Sequence, residues 1–268
     1  MNFVDAHVHL ADTEYAGTVE KVVADAKQAN VTALVANATD FESSHRTLQL
    51  ATHYPDHVYA ALGIHPWNTK QLKPDELQDT VSLILANKEN KNVVAVGEIG
   101  LDTNYSGTGE PTQVQRQVFH EMLKVAEQTG LPAVIHSRGT TSQIVELLPS
   151  FNIKKVLLHW FSQPHSLIPT IVDRGYYITE GPPTVYSGGM REVIRQIPLT
   201  NFMTETDGPV RFSGPFKGQT TTPCFIPHVV EAVAELKGME KTVVADQIFR
   251  NFVDFFGVAG VRDKRHDE

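Results

Sequence analysis

Asp5-Ala6-His7-Val8-His9, near the start of the chain, alternates polar and apolar residues as a β-strand with one polar face does. Alternate side chains of a strand point to opposite faces, so Asp5, His7 and His9 share one face. Two imidazoles spaced in this way can both reach one metal ion, and burying them without a partner costs desolvation energy. The stretch predicts a first strand with a metal-binding pair; the alternative is two partly solvated histidines near a strand end.

Short apolar runs alternate with longer amphipathic segments along the whole chain. The apolar runs predict eight strands, at residues 3–9, 31–37, 57–62, 93–97, 131–135, 156–159, 175–179 and 201–204. One amphipathic segment begins at Ile226 and ends at Gly238, a typical C-terminal cap. Strands that alternate with helices form a parallel sheet buried beneath those helices. The pattern therefore predicts a single-domain α/β protein, a TIM (β/α)8-like barrel over residues 1–261, with a charged, flexible tail at 262–268.

Composition limits the classes of function. The chain has 268 residues, 41% of them hydrophobic, and a formal net charge of -8. That charge argues against a protein that coats long nucleic-acid duplexes, but not against an enzyme that grips a few phosphates beside metal ions. The single cysteine, Cys224, excludes an intramolecular disulfide and a cysteine-rich zinc cluster. No apolar run approaches the roughly 20 residues of a membrane span, and the early strand leaves no room for a signal peptide, so we expect a cytoplasmic protein.

Polar side chains follow several predicted strands at the end where TIM-like barrels carry their chemistry. They are His65 after the third strand, Glu98 after the fourth, His136 after the fifth, His159 after the sixth, and Glu205 and Asp207 after the eighth. Each one alone has a structural explanation, such as a buried histidine bonded to a carbonyl or an acid that caps a helix. Their joint occurrence with His7 and His9 instead predicts a site for two divalent ions about 3.5–4 Å apart, with a carboxylate between them.

The same residues form motifs of a known family. The motifs are D-x-H-x-H from Asp5, G-I-H-P from Gly63, G-E-I-G-L-D from Gly97, I-H-S-R from Ile135, H-x-F-S from His159 and E-T-D from Glu205. Together they show that the chain resembles the TatD-type metal-dependent deoxyribonucleases, a branch of the amidohydrolase superfamily, over nearly its whole length. The resemblance implies a TIM-like barrel with a two-metal site. It assigns one ion to His7, His9 and Asp207, the other to His136 and His159, and the bridging position to Glu98.

The chemistry of such a site predicts further roles. Two cations lower the pKa of a shared water molecule and neutralise charge on phosphoryl oxygens. Asp207 would bind metal and orient or deprotonate the water, while Glu205 would assist it or fix a histidine. His65 and Arg138 are the candidates for binding the substrate phosphate, Arg138 through its bidentate fork. The alternatives are a supporting role for His65 and a surface ion pair for Arg138.

Two aromatic residues follow the sixth-strand histidine. Trp160 and Phe161 either stack on an exposed base of the substrate or pack at the rim. The sequence departs from the family at Trp160, at Gln163 and in the loops 103–111 and 210–223. The first two substitutions should narrow the mouth of the site, so the family's metal chemistry transfers to this chain more safely than its choice of substrate.

These observations predict a metal-dependent hydrolase that cleaves phosphodiester bonds in DNA, as an exonuclease on single-stranded or frayed ends. The cofactors would be two divalent ions, either zinc, manganese or magnesium; magnesium prefers oxygen ligands to histidine. Three alternatives remain open: an amidohydrolase of a small cyclic substrate, a hydrolase of an aminoacyl-tRNA ester, and a non-catalytic barrel that binds nucleic acid or a partner protein. Many two-metal relatives use a carboxylated lysine on the fourth strand, and Glu98 in that place favours the TatD-like branch.

Overall fold

Eight parallel strands form one continuous sheet in the computed structural model, which describes residues 1–107, 109–162 and 164–258. The strands are β1 (Phe3–Val8), β2 (Val31–Asn37), β3 (Val58–Leu62), β4 (Val93–Gly100), β5 (Ala133–His136), β6 (Val156–Leu158), β7 (Tyr177–Glu180) and β8 (Phe202–Thr204). Each strand pairs in parallel with the next one along the chain. The predicted TIM-like α/β barrel is confirmed.

Backbone hydrogen bonds close the sheet between its last and first strands. The N–H of Asp207 donates to the carbonyl of His7 at 2.9 Å, and the N–H of His9 donates to the carbonyl of Gly208 at 2.8 Å. The hydroxyl of Thr204 donates to the carbonyl of Val4 at 2.8 Å. The closure brings Asp207 beside the histidine pair of β1, although about two hundred residues separate them in the sequence.

Helices alternate with the strands, as the amphipathic segments predict. They are α1 (Val19–Gln28), α2 (Phe41–His53), α3 (Glu76–Ala86), α4 (Thr103–Ser106), α5 (Gln113–Thr129), α6 (Thr141–Leu147), α7 (Ile168–Asp173), α8 (Gly188–Gln196), α9 (Ile226–Lys237) and α10 (Lys241–Phe256). Gly238 caps α9 in the left-handed conformation, with φ of 62°. The side chains of β1 to β4 are almost all buried, as expected for strands covered on both faces.

Strand β4 continues past its predicted end at residue 97 to Gly100, so Glu98 lies within the strand. Gly97, the last residue of the predicted strand, lacks a side chain and so permits a close approach to β5. A Cβ atom at Gly97 would lie 2.7 Å from the Cβ of Val134. Strands β5 and β7 also end one residue later than predicted, at His136 and Glu180.

None of the helices in the described part of the chain is long and apolar enough to cross a membrane. The predicted tail at 262–268 and Gln163 both lie outside the described residues. The loop 210–223 contributes Phe212 and Phe216 to a small aromatic cluster with Phe225, against which Trp160 packs.

Candidate metal centre

The histidine pair of β1 points at two carboxylates. The Nε2 atoms of His7 and His9 lie 3.3 Å apart, and each is 3.2 Å from Oε2 of Glu98. Oδ1 of Asp207 lies 3.5 Å from Nε2 of His7 and 3.2 Å from Nε2 of His9. Two imidazole nitrogens that converge on two carboxylate oxygens form a donor set suited to a divalent cation.

The other oxygen of Glu98 faces a second group of histidines. Oε1 lies 2.7 Å from Nε2 of His159, 3.0 Å from Nδ1 of His136 and 3.2 Å from Nε2 of His65. One carboxylate therefore joins two clusters of potential ligands, one through each of its oxygens. This is the arrangement that a bridging carboxylate requires.

Electrostatics keep both carboxylates of the site ionised. Burial alone would raise the pKa of Glu98, but the surrounding rings, His65 and His159 foremost, hold it well below its usual range. Burial would also raise the pKa of Asp207, but the hydrogen bond from His9 is the main interaction that instead lowers it. Burial would lower the pKa of His9, yet its hydrogen bonds to Asp207 and Glu98 raise it to about 10. Carboxylates must be ionised to bind a metal, which their lowered pKa values favour, and His9 would release its Nε2 proton when a metal binds.

Hydrogen bonds orient the imidazoles of His9 and His136. Nδ1 of His9 lies 3.0 Å from the carbonyl oxygen of Asn37, which fixes a proton on Nδ1 and leaves Nε2 as the ligand atom. Nε2 of His136 lies 2.8 Å from Oδ2 of Asp102, which leaves Nδ1 facing Glu98.

Glu205 lies behind the imidazole of His159, on the side away from Glu98. Its Oε2 is 3.5 Å from Nδ1 of His159 and accepts a hydrogen bond from the hydroxyl of Thr179 at 2.5 Å. Glu205 thus faces the side of the ring opposite the ligand atom. Of the two roles predicted for it, this placement supports fixing a histidine.

The local backbone around Asp207 departs from regular strand geometry. Asp207 follows β8 with φ of 50°, a left-handed conformation that is uncommon for residues other than glycine and clusters at functional sites. Trp160 directly follows His159 and has φ of 42°. Both residues border the same opening of the barrel.

A cavity of about 740 Å³ opens above the two clusters. His9, Glu98, His136, His159 and Asp207 line its floor together with His65. Arg138 is exposed at its rim, and Trp160 lines it while packing on Phe212 with ring centroids 5.5 Å apart.

The structure brings all six predicted metal ligands together and changes the interpretation of Phe161. His65, predicted to contact phosphate or to have a supporting role, accepts the backbone N–H of Trp67 at Nδ1 and has its Nε2 3.2 Å from Oε1 of Glu98. Phe161, predicted to stack on a base or pack at the rim, is 0% exposed and belongs to the main hydrophobic core. A base has no access to that ring, so the substrate-stacking prediction for Phe161 is corrected to a core position.

Three residues that the sequence prediction missed surround the site. Asp102 is bonded to His136, and Trp67 donates its indole N–H to the same Asp102 oxygen at 2.8 Å. Glu180 is fully buried at the end of β7 near Glu205, which with burial raises its pKa well above the usual range. Glu180 ends a predicted strand as the recognised ligands do, and that position was the available signal.

An eight-stranded parallel barrel with histidines and carboxylates converging at the C-terminal ends of its strands is the architecture of a metal-dependent hydrolase. The chain matches the family model described as "TatD related DNase" over residues 4–257, and it belongs to that family.

The chain is similar to its relatives over nearly their full lengths. The chain is 32% identical to the human protein named "Deoxyribonuclease TATDN3", over 96% of this chain and 95% of that protein. It is 27% identical to the "3'-5' ssDNA/RNA exonuclease TatD" of Pantoea ananatis, over 95% and 99%. The crystal structure of the TatD homologue YjjV from Escherichia coli superposes with a TM-score of 0.85 at 29% identity, covering 95% of this chain and 98% of that one.

Proposed function

We propose that this chain is a metal-dependent nuclease that hydrolyses phosphodiester bonds in DNA, as an exonuclease on single-stranded or frayed ends. The observation that carries the proposal is the placement of Glu98, whose two oxygens each face a different cluster of histidines beneath an open cavity. The names of the human and Pantoea relatives, a deoxyribonuclease and a 3'-5' single-strand exonuclease, support the same reaction class.

The donor set supports two ions. One would be held by His7, His9 and Asp207 with Oε2 of Glu98. The other would be held by His136 and His159 with Oε1 of Glu98. His65 accepts the backbone N–H of Trp67 at Nδ1, so its Nε2 carries a proton and donates to Oε1 of Glu98 instead of binding an ion. A set this rich in imidazole favours zinc or manganese over magnesium. When bound, the ions would lower the pKa of a water molecule and offset charge on the phosphoryl oxygens.

Four residues of the chain would carry out proton transfer, hold the metal ligands in place and bind the substrate. The Asp207 carboxylate accepts a proton from the attacking water, whose oxygen bonds to phosphorus as the ester P–O bond breaks, and Asp207 then gives that proton to the leaving oxygen. Glu205 holds the His159 ring and Asp102 holds the His136 ring, so neither imidazole has to reorient during the reaction. Arg138, at the rim, binds a phosphate of the substrate.

The charges near the cavity favour strand ends over the interior of a duplex. Asp12 and Glu14 share its lining with Arg138 and Arg211, and Arg211 forms an ion pair with Glu14. A protein with net charge -8 and so few cations here cannot offer the row of phosphate contacts that a duplex binder makes. A single strand that enters by its end meets the metal centre with few additional contacts.

The test is digestion of end-labelled single-stranded DNA, single-stranded RNA and duplex DNA by metal-loaded protein, with the Asp207→Asn variant as the control. Metal-dependent ladders that disappear in the variant are expected, and the labelled end reports the direction of digestion. If the native protein holds two metals and cleaves none of these substrates, the function is instead hydrolysis of a small molecule or an aminoacyl ester.

Two further measurements test whether the protein attacks strand ends and whether it is a catalyst. Closed circular duplex should be cleaved far more slowly than linear single strands, and equal rates would refute action at ends. The Glu98→Ala variant should lose metal content and turnover together, because both clusters share that carboxylate. A binding function that survives in this variant would identify a non-catalytic barrel.

A further inference from the structure

Trp67 presents a fixed aromatic ring to the cavity. Its side chain lines the cavity, and the residue is 42% exposed. The indole N–H donates to Oδ2 of Asp102 at 2.8 Å, and the backbone N–H donates to Nδ1 of His65 at 3.1 Å. A large apolar ring that is both exposed and held at two points is arranged for contact with a ligand rather than for packing.

A second aromatic residue supports the indole. Tyr105 stacks on Trp67 with ring centroids 5.6 Å apart and an angle of 19° between the planes. Nζ of Lys70 lies 4.1 Å from the centroid of the Tyr105 ring, so this ring is held in turn. The stack covers part of the indole and restricts its motion, and the indole still lines the cavity.

The position of Trp67 relates it to the metal centre. The centroid of its ring is 5.1 Å from that of His65 and 6.3 Å from that of His136, both of which face Glu98. A flat group stacked on Trp67 would therefore lie about one nucleotide away from a phosphate held above Glu98. The chain contains two tryptophans, and both line this cavity.

We propose that Trp67 is the stacking platform for a nucleobase of the bound strand, next to the phosphate that is cleaved. The assignment rests on the proposed nuclease function and specifies how the strand is held. Stacking on an indole accepts any base, because every base has a π-face, so the platform would confer affinity without sequence preference. Asp102 connects this platform to His136 through one carboxylate oxygen.

The test compares single-stranded oligonucleotides that carry a stable abasic nucleotide at one position at a time, starting from the end that is digested. With metal-loaded native protein, one position should show kcat/KM lowered about 5- to 100-fold by loss of its base. In Trp67→Ala the same position should show a ratio near 1. Val210→Ala is the matched control, because Val210 is 37% exposed and lines the same cavity without a π-face; it should keep the native ratio.

A structural role of Trp67 predicts a different result. If the indole only anchors Asp102, Trp67→Ala will lower kcat/KM equally on normal and abasic substrates, and the platform is refuted. Trp67→Phe separates the two effects, since it keeps a ring but loses the hydrogen bond to Asp102. It should retain most of the base preference that Trp67→Ala loses.

A binding measurement distinguishes failure of the platform from failure of the nuclease. In Trp160→Phe, Trp67 is the remaining tryptophan, so its fluorescence reports on stacking. Thymidine 5'-monophosphate should quench the emission saturably, and deoxyribose 5-phosphate should not. Such quenching by a protein that cleaves no nucleic acid would uphold the platform and refute the nuclease. Cleavage with an abasic penalty unchanged in Trp67→Ala would do the reverse.

Discussion

The carboxylate of Asp102 accepts a hydrogen bond from the imidazole of His136, with Oδ2 2.8 Å from Nε2. The bond fixes the ring proton on Nε2 and leaves Nδ1, which faces Oε1 of Glu98 at 3.0 Å, with its lone pair free for a cation. Burial alone would raise the pKa of Asp102, but the hydrogen bonds from His136 and Trp67 hold it well below its usual range. Asp102 is therefore negatively charged at neutral pH.

We expect Asp102→Asn to weaken metal binding about 10- to 100-fold, because an amide cannot supply the negative charge that makes the His136 ring a strong ligand. The substitution leaves the start of α4 capped, since asparagine caps helices as well as aspartate does. In the native protein Oδ1 of Asp102 accepts hydrogen bonds from the backbone of Asn104 and Tyr105 at 2.7 and 3.1 Å. Competition against a chelator measures the affinity.

The matched control for this variant is Asp40→Asn. Asp40 also caps a helix, α2, where it accepts a hydrogen bond from the backbone N–H of Ser43 at 2.7 Å. It is bonded to no imidazole among the residues that the structure describes, so its variant should bind metal as the native protein does. Equal affinities in all three proteins would mean that Asp102 does not tune the site.

Arg138 should contribute to substrate binding rather than to turnover. It is exposed at the cavity, and no carboxylate lies within ion-pair distance of it in the described part of the chain. Because a hydrogen bond to a charged group is worth about 1.5–3 kcal/mol, and exposure favours the lower value, Arg138→Ala should raise KM about 10-fold with kcat little changed. The slope of log affinity against log salt should fall by about 0.7, as for one lost phosphate contact.

Arg211 provides the comparison for Arg138. It lines the same cavity, but its guanidinium pairs with Glu14 and also donates to the hydroxyl of Thr220 at 2.8 Å. Its charge is therefore already neutralised, and Arg211→Ala should raise KM less than Arg138→Ala does. A larger effect at Arg211 than at Arg138 would reverse the assignment.

The sequence predicts the barrel and the ligand set because both depend on local geometry. Alternation along β1 places His7 and His9 on one face whatever lies around them. The rule that parallel strands end at one rim then gathers Glu98, His136 and Asp207 without any knowledge of packing. These predictions need only approximate strand positions, and errors of one to three residues at the strand ends did not affect them.

What the sequence could not predict depends on contacts between distant loops. Trp67 and Asp102 are 35 residues apart on different connections, so no local pattern pairs them. Phe161 and Trp160 are neighbours in sequence with similar chemistry, yet one is buried in the core and the other lines the cavity. The backbone turn at Trp160, with φ of 42°, separates their directions, and such a turn has no signature in the sequence.

Glu180 should make stability depend on pH. Its carboxyl is fully buried, and neither oxygen has a hydrogen-bond partner in the described structure. Burial, together with the charge of Glu205, raises its pKa well above the usual range. The unfolded chain therefore releases this proton at lower pH than the folded protein does, so the folded state loses stability as pH rises from about 4.5 towards the folded pKa.

Glu180→Gln removes that titration, and we expect it to be more stable than the native protein at pH 8 and similar at pH 4.5. The gain should approach about 1.4 kcal/mol for each pH unit crossed in that window, and each kcal/mol should raise Tm by about 2–4 °C. Glu20→Gln, at an exposed position on α1, controls for the loss of one charge. A gain that is equal at both pH values would show that Glu180 is ionised in the folded protein.

Gly100 should be irreplaceable at the end of β4, where the backbone passes the ligand His136. A Cβ atom there would lie 2.0 Å from the carbonyl oxygen of His136, and φ is 151°, a conformation that other residues rarely adopt. Overpacking and backbone strain cost about 1–3 kcal/mol each, so Gly100→Ala should lower the free energy of unfolding by about 2–6 kcal/mol. Displacement of His136 should also weaken metal binding.

Gly130→Ala is the control that separates the steric clash of a new Cβ atom from the free-energy cost of a left-handed backbone. Gly130 caps α5 with φ of 72°, and a Cβ atom there would meet nothing within 4 Å. Gly130→Ala should lower the free energy of unfolding only by the left-handed backbone cost of about 1–2 kcal/mol, and it should bind metal normally. Urea unfolding and chelator competition on both variants test the difference. If Gly100→Ala costs no more than Gly130→Ala and keeps its metal, the close contact between β4 and His136 does not position the ligand.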